Sequence, residues 1–172
     1  MLLGDYCPSG KLPVTFYAST ADLPDFLDYS MENRTYRYFT GKPQYAFGYG
    51  LSYTSFRFGK GRLSRASMTR DGKVIVTVPV TNTGAVKGAE TVQVYVQSLD
   101  HPDAPIKALQ GFKKVSLNPG RTRRVQITLD GDAFSFYDAS VDGLAVHPGR
   151  YRILYGSSSR EEDLQALDFQ VR

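Results

Sequence analysis

Tryptophan is absent from this chain of 172 residues, cysteine occurs once and histidine twice. The lone Cys7 excludes an intrachain disulfide and any cysteine-based metal cluster. His101 and His147 each stand beside a proline with no second ligand at metal spacing, so no metal site and no cofactor are expected. No apolar run is long enough for a signal peptide or a membrane span, because Met1-Leu2-Leu3 leads at once into Gly4-Asp5-Tyr6. No membrane partner is therefore expected, and the compartment stays open. Charge is not concentrated either. The formal net charge is +4, with Arg34, Arg57, Arg70 and Lys87 scattered and local groups only at Lys113-Lys114 and residues 121–124. Spread charge is a solvated surface, so no nucleic-acid partner is expected.

What is present points to β-structure. A hydrophobic fraction of 41%, an aromatic fraction of 13%, 16 glycines and 9 prolines suit a cored domain with many turns. From about residue 60 onward the apolar residues alternate. Val74, Val76, Val78 and Val80 share one face, as do Val92, Val94 and Val96, then Val125, Ile127 and Leu129. Tyr151, Ile153 and Tyr155 repeat the pattern, and Leu167, Phe169 and Val171 close it. Such alternation puts one face on a core and leaves the other wet. Asp71-Gly72 is a hairpin-type signal, Asn82-Thr-Gly84 and Asn118-Pro-Gly120 mark reversals, and His147-Pro-Gly149 precedes a strand. Pro79, on the outer face, suits an edge strand or a bulge.

About seven such runs predict an all-β fold, an immunoglobulin/fibronectin type III-like antiparallel β-sandwich. Without tryptophan or paired cysteines the antibody-type signature is missing, so the fibronectin-like variant is expected. The sandwich is assigned to residues 60–172. It is preceded by an irregular, aromatic-rich N-terminal segment, residues 1–59.

That segment holds Arg34, Tyr36, Arg37, Tyr38, Phe39, Tyr45, Phe47, Tyr49 and Tyr53 among glycines and prolines. A flexible linker is poor in aromatics, whereas each of these rings removes a large apolar area from water when it lies on a surface. Two readings stand. Arg34, Tyr36, Arg37, Tyr38, Tyr45, Tyr49 and Tyr53 form either an interdomain strap or a rim that stacks on sugars. The strap is favoured, because dense Tyr and Phe with interspersed glycine suit docking better than an open platform. Upstream, residues 11–17 suggest a short extended strand, and residues 20–28 are too broken by Pro24 for a long helix.

The obvious chemical candidates have structural explanations. Asp22, Asp25, Asp28 and Glu32 read as a solvated connecting loop, and Asp100 and Asp103 as a strand-connecting one. Ser157-Ser-Ser159 after Gly156 is not a nucleophile elbow, since Gly-x-Ser-x-Gly is not completed. Asn33-Arg-Thr35 is a glycosylation sequon of consequence only in a eukaryotic secretory pathway.

An ordered series of motifs runs through nearly the whole chain. It begins with Gly4-Asp-Tyr-Cys-Pro-Ser-Gly-Lys-Leu-Pro-Val-Thr-Phe-Tyr17, Arg34-Thr-Tyr-Arg-Tyr-Phe39 and Phe47-Gly-Tyr-Gly-Leu-Ser-Tyr-Thr-Ser-Phe56. It continues through Val80-Thr-Asn-Thr-Gly84, Gly88-Ala-Glu-Thr-Val-Gln-Val-Tyr95, Leu109-Gln-Gly-Phe-Lys-Lys-Val115, Phe134-Ser-Phe-Tyr-Asp138 and Pro148-Gly-Arg-Tyr151. In this series the chain resembles the C-terminal part of family 3 glycoside hydrolases, the β-glucosidase and β-xylosidase group.

The resemblance implies a fibronectin type III-like domain at the end of a multidomain glycosidase, with residues 1–59 as the end of its α/β-sandwich domain plus the strap. In that family the nucleophile and the acid/base carboxylate precede Gly4. The resemblance therefore implies no catalytic residue here and a chain inactive alone. The implied partners are the family's catalytic domains, with plant-type oligosaccharides as candidate ligands. The alternatives are a stand-alone carbohydrate-binding module or a partner subunit of a separately encoded catalytic chain. Cys7 departs from the small polar residue expected there, and Met1-Leu2-Leu3 falls where a buried strand of the second domain would run. The family is often periplasmic or extracellular. On this reading, removal of residues 1–50 leaves the sandwich folded and more soluble.

Overall fold

The computed structural model describes residues 4–172. The expectation for Met1-Leu2-Leu3 lies outside the described residues. The strands are β1 (Phe56–Phe58), β2 (Arg62–Leu63), β3 (Ser67–Met68), β4 (Lys73–Asn82), β5 (Gly88–Ser98) and β6 (Ala108–Leu117). They continue as β7 (Thr122–Asp130), β8 (Ser135–Asp138), β9 (Gly143–Val146), β10 (Gly149–Gly156) and β11 (Leu164–Val171). One sheet has β4 at its centre, with β7 along one side and β1 and β2 on the other. The second runs β3-β11-β10-β5-β6, and β8-β9 forms a separate hairpin. The architecture is the expected all-β, fibronectin type III-like sandwich. Among the described residues no helix is long and apolar enough to cross a membrane.

The alternating faces meet between the sheets. Val74, Val76, Val78 and Val80 of β4 and Val92 and Val94 of β5 are wholly buried, together with Ile153 of β10. Full burial of such a side chain contributes roughly 1.5–3 kcal/mol each. At one end Tyr151 donates its hydroxyl to the His147 carbonyl at 2.7 Å, the corner typical of these sandwiches.

One turn differs from the sequence reading. Asp71-Gly72 joins β3 to β4, and these strands lie in opposite sheets, so it is a crossover and not a hairpin. The reversals at residues 82–84 and 118–120 likewise carry the chain from one sheet to the other. The apolar runs of β4 and β5 therefore face each other across the core, whereas those of β10 and β11 pair edge to edge.

Pro79 is not on an edge. Its carbonyl accepts from the Gly59 N–H at 2.8 Å, in the gap between β1, which pairs with residues 80–82, and β2, which pairs with residues 76–77. In an antiparallel strand the N and the carbonyl of a residue point the same way, so the missing N–H faces this interruption. A central strand tolerates the proline because its neighbour is broken opposite it.

Candidate functional site

The aromatic segment lies on its own sandwich. It enters as an irregular ribbon. Leu12 N–H donates to the Tyr49 carbonyl, Gly48 N–H to the Leu12 carbonyl (both 2.8 Å), and Phe16 N–H to the Tyr45 carbonyl at 2.9 Å. The extended strand expected over residues 11–17 is thus reduced to a single bridge at Phe16 and Tyr45. Lys11 reaches Glu90 of β5 at 2.7 Å, and both side chains are largely buried.

The covered face of β5 is the one expected to be wet. Gln93 and Tyr95 are 3% and 0% exposed. Gln93 Nε2 donates to the carbonyls of Gly48 (3.1 Å) and Ser157 (2.6 Å), and its Oε1 accepts the Tyr95 hydroxyl at 2.5 Å. Burial pushes the Tyr95 phenol far up. Alternation correctly marked the core face of β5, but a second layer covers the opposite face. The strap also removes the basis for expecting greater solubility on its deletion.

Tyr36 is the pivot of that layer. It sits in the one-turn helix α1 (Thr35–Tyr38), stacks on Phe47 with ring centroids 4.2 Å apart, and meets Tyr95 edge-on at 5.8 Å. Its hydroxyl accepts the Leu109 N–H at 3.0 Å. Burial raises its pKa, partly opposed by that hydrogen bond. Arg37 accepts the Ile106 N–H on its carbonyl at 2.8 Å, and its guanidinium lies 5.8 Å from the Tyr38 ring centroid.

Arg34 faces the loop before it. Its Nε donates to the Ser30 carbonyl at 2.8 Å, and its Nη2 donates to the carbonyls of Asp28 and, at 3.3 Å, Asp25. Asp25 and Asp28 cap turns by accepting from Leu27 N–H and Ser30 N–H, each at 2.8 Å. Asn33 and Thr35 take positive φ values of 53° and 56° beside this clamp. The loop therefore has a set shape, and it points Phe26 (89% exposed), Leu27 (77%) and Tyr29 (87%) outward.

Tyr36, Tyr45 and Tyr49 converge on one cavity of about 650 Å³, with Thr15, Phe39, Lys107 and Arg160 among its lining. Tyr45 and Tyr49 are 5.4 Å apart and tilted, Tyr45 meets Phe16 edge-on, and the Arg160 guanidinium stands 5.8 Å from the Tyr49 ring centroid. Arg34, Arg37 and Tyr38 do not line it, and Tyr53 borders a separate cavity with Tyr6 and Cys7. Cys7 is half-buried, with its Sγ 3.3 Å from Ser52 Oγ. Sequence reasoning missed Lys107, Arg160 and Gln93, which carry no local signal because each is a single polar residue in or beside a strand.

Hydrogen bonding holds the carboxyls of Asp28, Asp100 and Asp138 below their ordinary value, from Ser30, Arg150 and Ser140 respectively. A glycosidase acid requires a raised carboxyl instead. His101 and His147, distant in sequence, come together with ring centroids 4.8 Å apart, and His147 Nε2 lies 3.0 Å from Asp138 Oδ2. Among the described residues no group of three or more His, Cys, Asp or Glu side chains can hold a metal ion.

Two family models match the chain. Residues 1–53 match the glycosyl hydrolase family 3 C-terminal domain, and residues 90–159 the fibronectin type III-like domain. A xylan 1,4-beta-xylosidase of Xylanibacter ruminicola is 45% identical over 97% of this chain and 19% of its own length. A periplasmic beta-glucosidase of Salmonella typhimurium is 38% identical over 92% of this chain and 22% of its own. Among solved structures, a family 3 beta-glucosidase of Bifidobacterium adolescentis superposes with a TM-score of 0.87 at 31% identity, covering 99% of this chain and 27% of that one. The chain thus spans only 19–22% of the curated relatives just described. The order of the two matches and the sandwich itself lead to one conclusion: the chain belongs to glycoside hydrolase family 3, as the C-terminal region that carries the fibronectin type III-like domain.

Proposed function

We propose that this chain is the non-catalytic C-terminal portion of a family 3 β-glycosidase of the β-glucosidase/β-xylosidase type, hydrolysing O-glycosyl bonds when complete. Residues 1–59 serve as the end of the α/β domain plus the strap, residues 60–172 as the sandwich, and the partner is the catalytic body. The observation that carries this reading is the Arg34-clamped loop, whose Phe26, Leu27 and Tyr29 stand in solvent on an ordered backbone. An apolar tip already fixed in shape loses little entropy on docking, which is how a permanent interface is prepared. Incubated with aryl β-glucosides and β-xylosides, the isolated chain turns over neither. Hydrolysis abolished by a single carboxylate substitution would overturn this.

Tyr45, at 44% exposure beside Tyr49, favours a second reading as a carbohydrate-binding module. Titration with xylo- and cello-oligosaccharides separates the two, since the first reading expects no saturable binding at millimolar ligand.

A further inference from the structure

The β8–β9 hairpin shares no ladder with either main sheet, so its two chain ends and its side chains hold it to the sandwich. Phe136 of β8 is the anchor, 6% exposed, while Tyr137, Val141 and Leu144 stand in solvent. Two histidines from distant segments close on that anchor. His101 follows β5 and His147 follows β9, with ring centroids 4.8 Å apart and 5.4 and 5.0 Å from the Phe136 ring. Both residues are half-buried. Histidine is the side chain whose charge ordinarily changes between about pH 5 and 8, and rings this close couple their protons.

The charges around the pair are unevenly shared. His147 Nε2 is buried 3.0 Å from Asp138 Oδ2 without meeting it as a hydrogen bond. Asp138 Oδ1 accepts from the Ser140 N–H (2.8 Å) and hydroxyl (2.7 Å), which fixes the carboxylate and holds it below its ordinary value. Asp138 therefore stays ionised while histidine titrates. Among the described residues no carboxylate pairs with His101, whose Nε2 lies 3.4 Å from the Pro148 carbonyl. Neighbouring Asp100 is bound by the Arg150 side chain and backbone, and Asp103 in the same loop is exposed. From β10 the Tyr151 hydroxyl is committed to the His147 carbonyl, and Arg70 bears on Tyr151. One counter-charge thus serves two rings.

We infer that His101 and His147 form an acid-operated release for the β8–β9 hairpin. The first proton goes to His147 and draws it onto Asp138, which tightens the hairpin. The second goes to His101, sets two positive rings against each other with one carboxylate to offset them, and parts them from Phe136. The released hairpin bares Phe136 and the small cavity behind it, lined by Val96, Ala133, Phe134 and Tyr151. A proton bound more tightly by the closed hairpin stabilises it as pH falls, and one bound more weakly destabilises it. Closure is therefore firmest with one proton on the pair, at about pH 6. The core between the sheets takes no part.

Nuclear magnetic resonance of the histidine rings and amide exchange, both on the 172-residue chain, test the release. Between about pH 8 and 4.5 the rings should titrate in two steps at least about one pH unit apart, a tenfold difference in proton affinity. Exchange protection of residues 136–146, corrected for intrinsic pH dependence, should rise down to about pH 6 and fall at least about tenfold by about pH 5. Protection of Val74 to Val80 should stay level. His101→Gln should abolish the acid loss and leave His147 a single step. Asp138→Asn should abolish the rise and bring the loss to higher pH. One unsplit transition at both rings, or hairpin protection level across this window, overturns the inference. So does an acid loss that persists in His101→Gln or spreads equally to Val74 to Val80, since another group or the core would then be responsible. Where a variant fails to fold, the titration and exchange of the unsubstituted chain decide.

Discussion

Gln93 on β5 donates to the carbonyl of Gly48 at 3.1 Å, one of the contacts that fasten the aromatic strap to the outer face of the sandwich. Gly48 takes a φ of +79°, and a Cβ there would stand 2.0 Å from Gln93 Oε1. Gly48→Ala therefore meets both backbone strain and a clash, and should cost about 2–3 kcal/mol. Gln93→Ala leaves the carbonyls of Gly48 and Ser157 and the Tyr95 hydroxyl without their partner, at about 1–3 kcal/mol. Urea unfolding followed by circular dichroism measures both. Midpoints unchanged in both variants would show that the strap is not part of the cooperative unit.

Deletion of residues 1–50 uncovers Tyr95 and Gln93 and strands Glu90 without Lys11. The inner core between the sheets is untouched, so the strands should persist in far-ultraviolet circular dichroism. The Tm should nevertheless fall, and the truncated chain should self-associate through the bared β5 face. A truncated chain that stays monomeric in sedimentation with an unchanged Tm would contradict this placement of the strap.

Arg34→Lys should loosen the loop without affecting the sandwich. An ammonium is a point charge and does not reproduce a planar guanidinium spread over three carbonyls. Limited proteolysis within residues 23–33 should quicken, while the Tm stays within about 0.5 kcal/mol equivalent of the parent. Equal cleavage rates would remove the clamp from the account.

Acid should weaken the fold through Asp100. Hydrogen bonds from the Arg150 side chain (2.6 and 3.0 Å) and backbone (2.7 Å) hold its carboxyl below the ordinary 3.8. A pKa depressed by folding adds stability that is present above the unfolded value and lost as pH falls through the folded one. The Tm should therefore be level down to about pH 5 and fall below about pH 4. Asp100→Asn should fall less steeply in that acid window, and added salt should shrink the difference because the pair is exposed. Parallel curves for parent and variant would show that this pair contributes no linkage.

Much of the sandwich was legible because a strand with one core face declares itself by period two. Val74 to Val80 is the clearest case. The pairing of those strands was not legible, since Asp71-Gly72 has the chemistry of a hairpin whether its strands bond to each other or face across a core. Pro79 misled for a similar reason. Its tolerance depends on a gap between β1 and β2, and a gap in a partner strand leaves no mark on the strand beside it.

The aromatic segment divides the same way. Its composition was enough to require a surface, because rings in such density gain nothing in water. Tertiary structure alone decided that the surface is the far side of β5, that Arg34 grips its own loop, and that Tyr36, Tyr45 and Tyr49 share a cavity with Lys107. Burial of a ring is a local preference written in its chemistry. Which groups surround it depends on where distant strands converge, and only the folded chain brings them together.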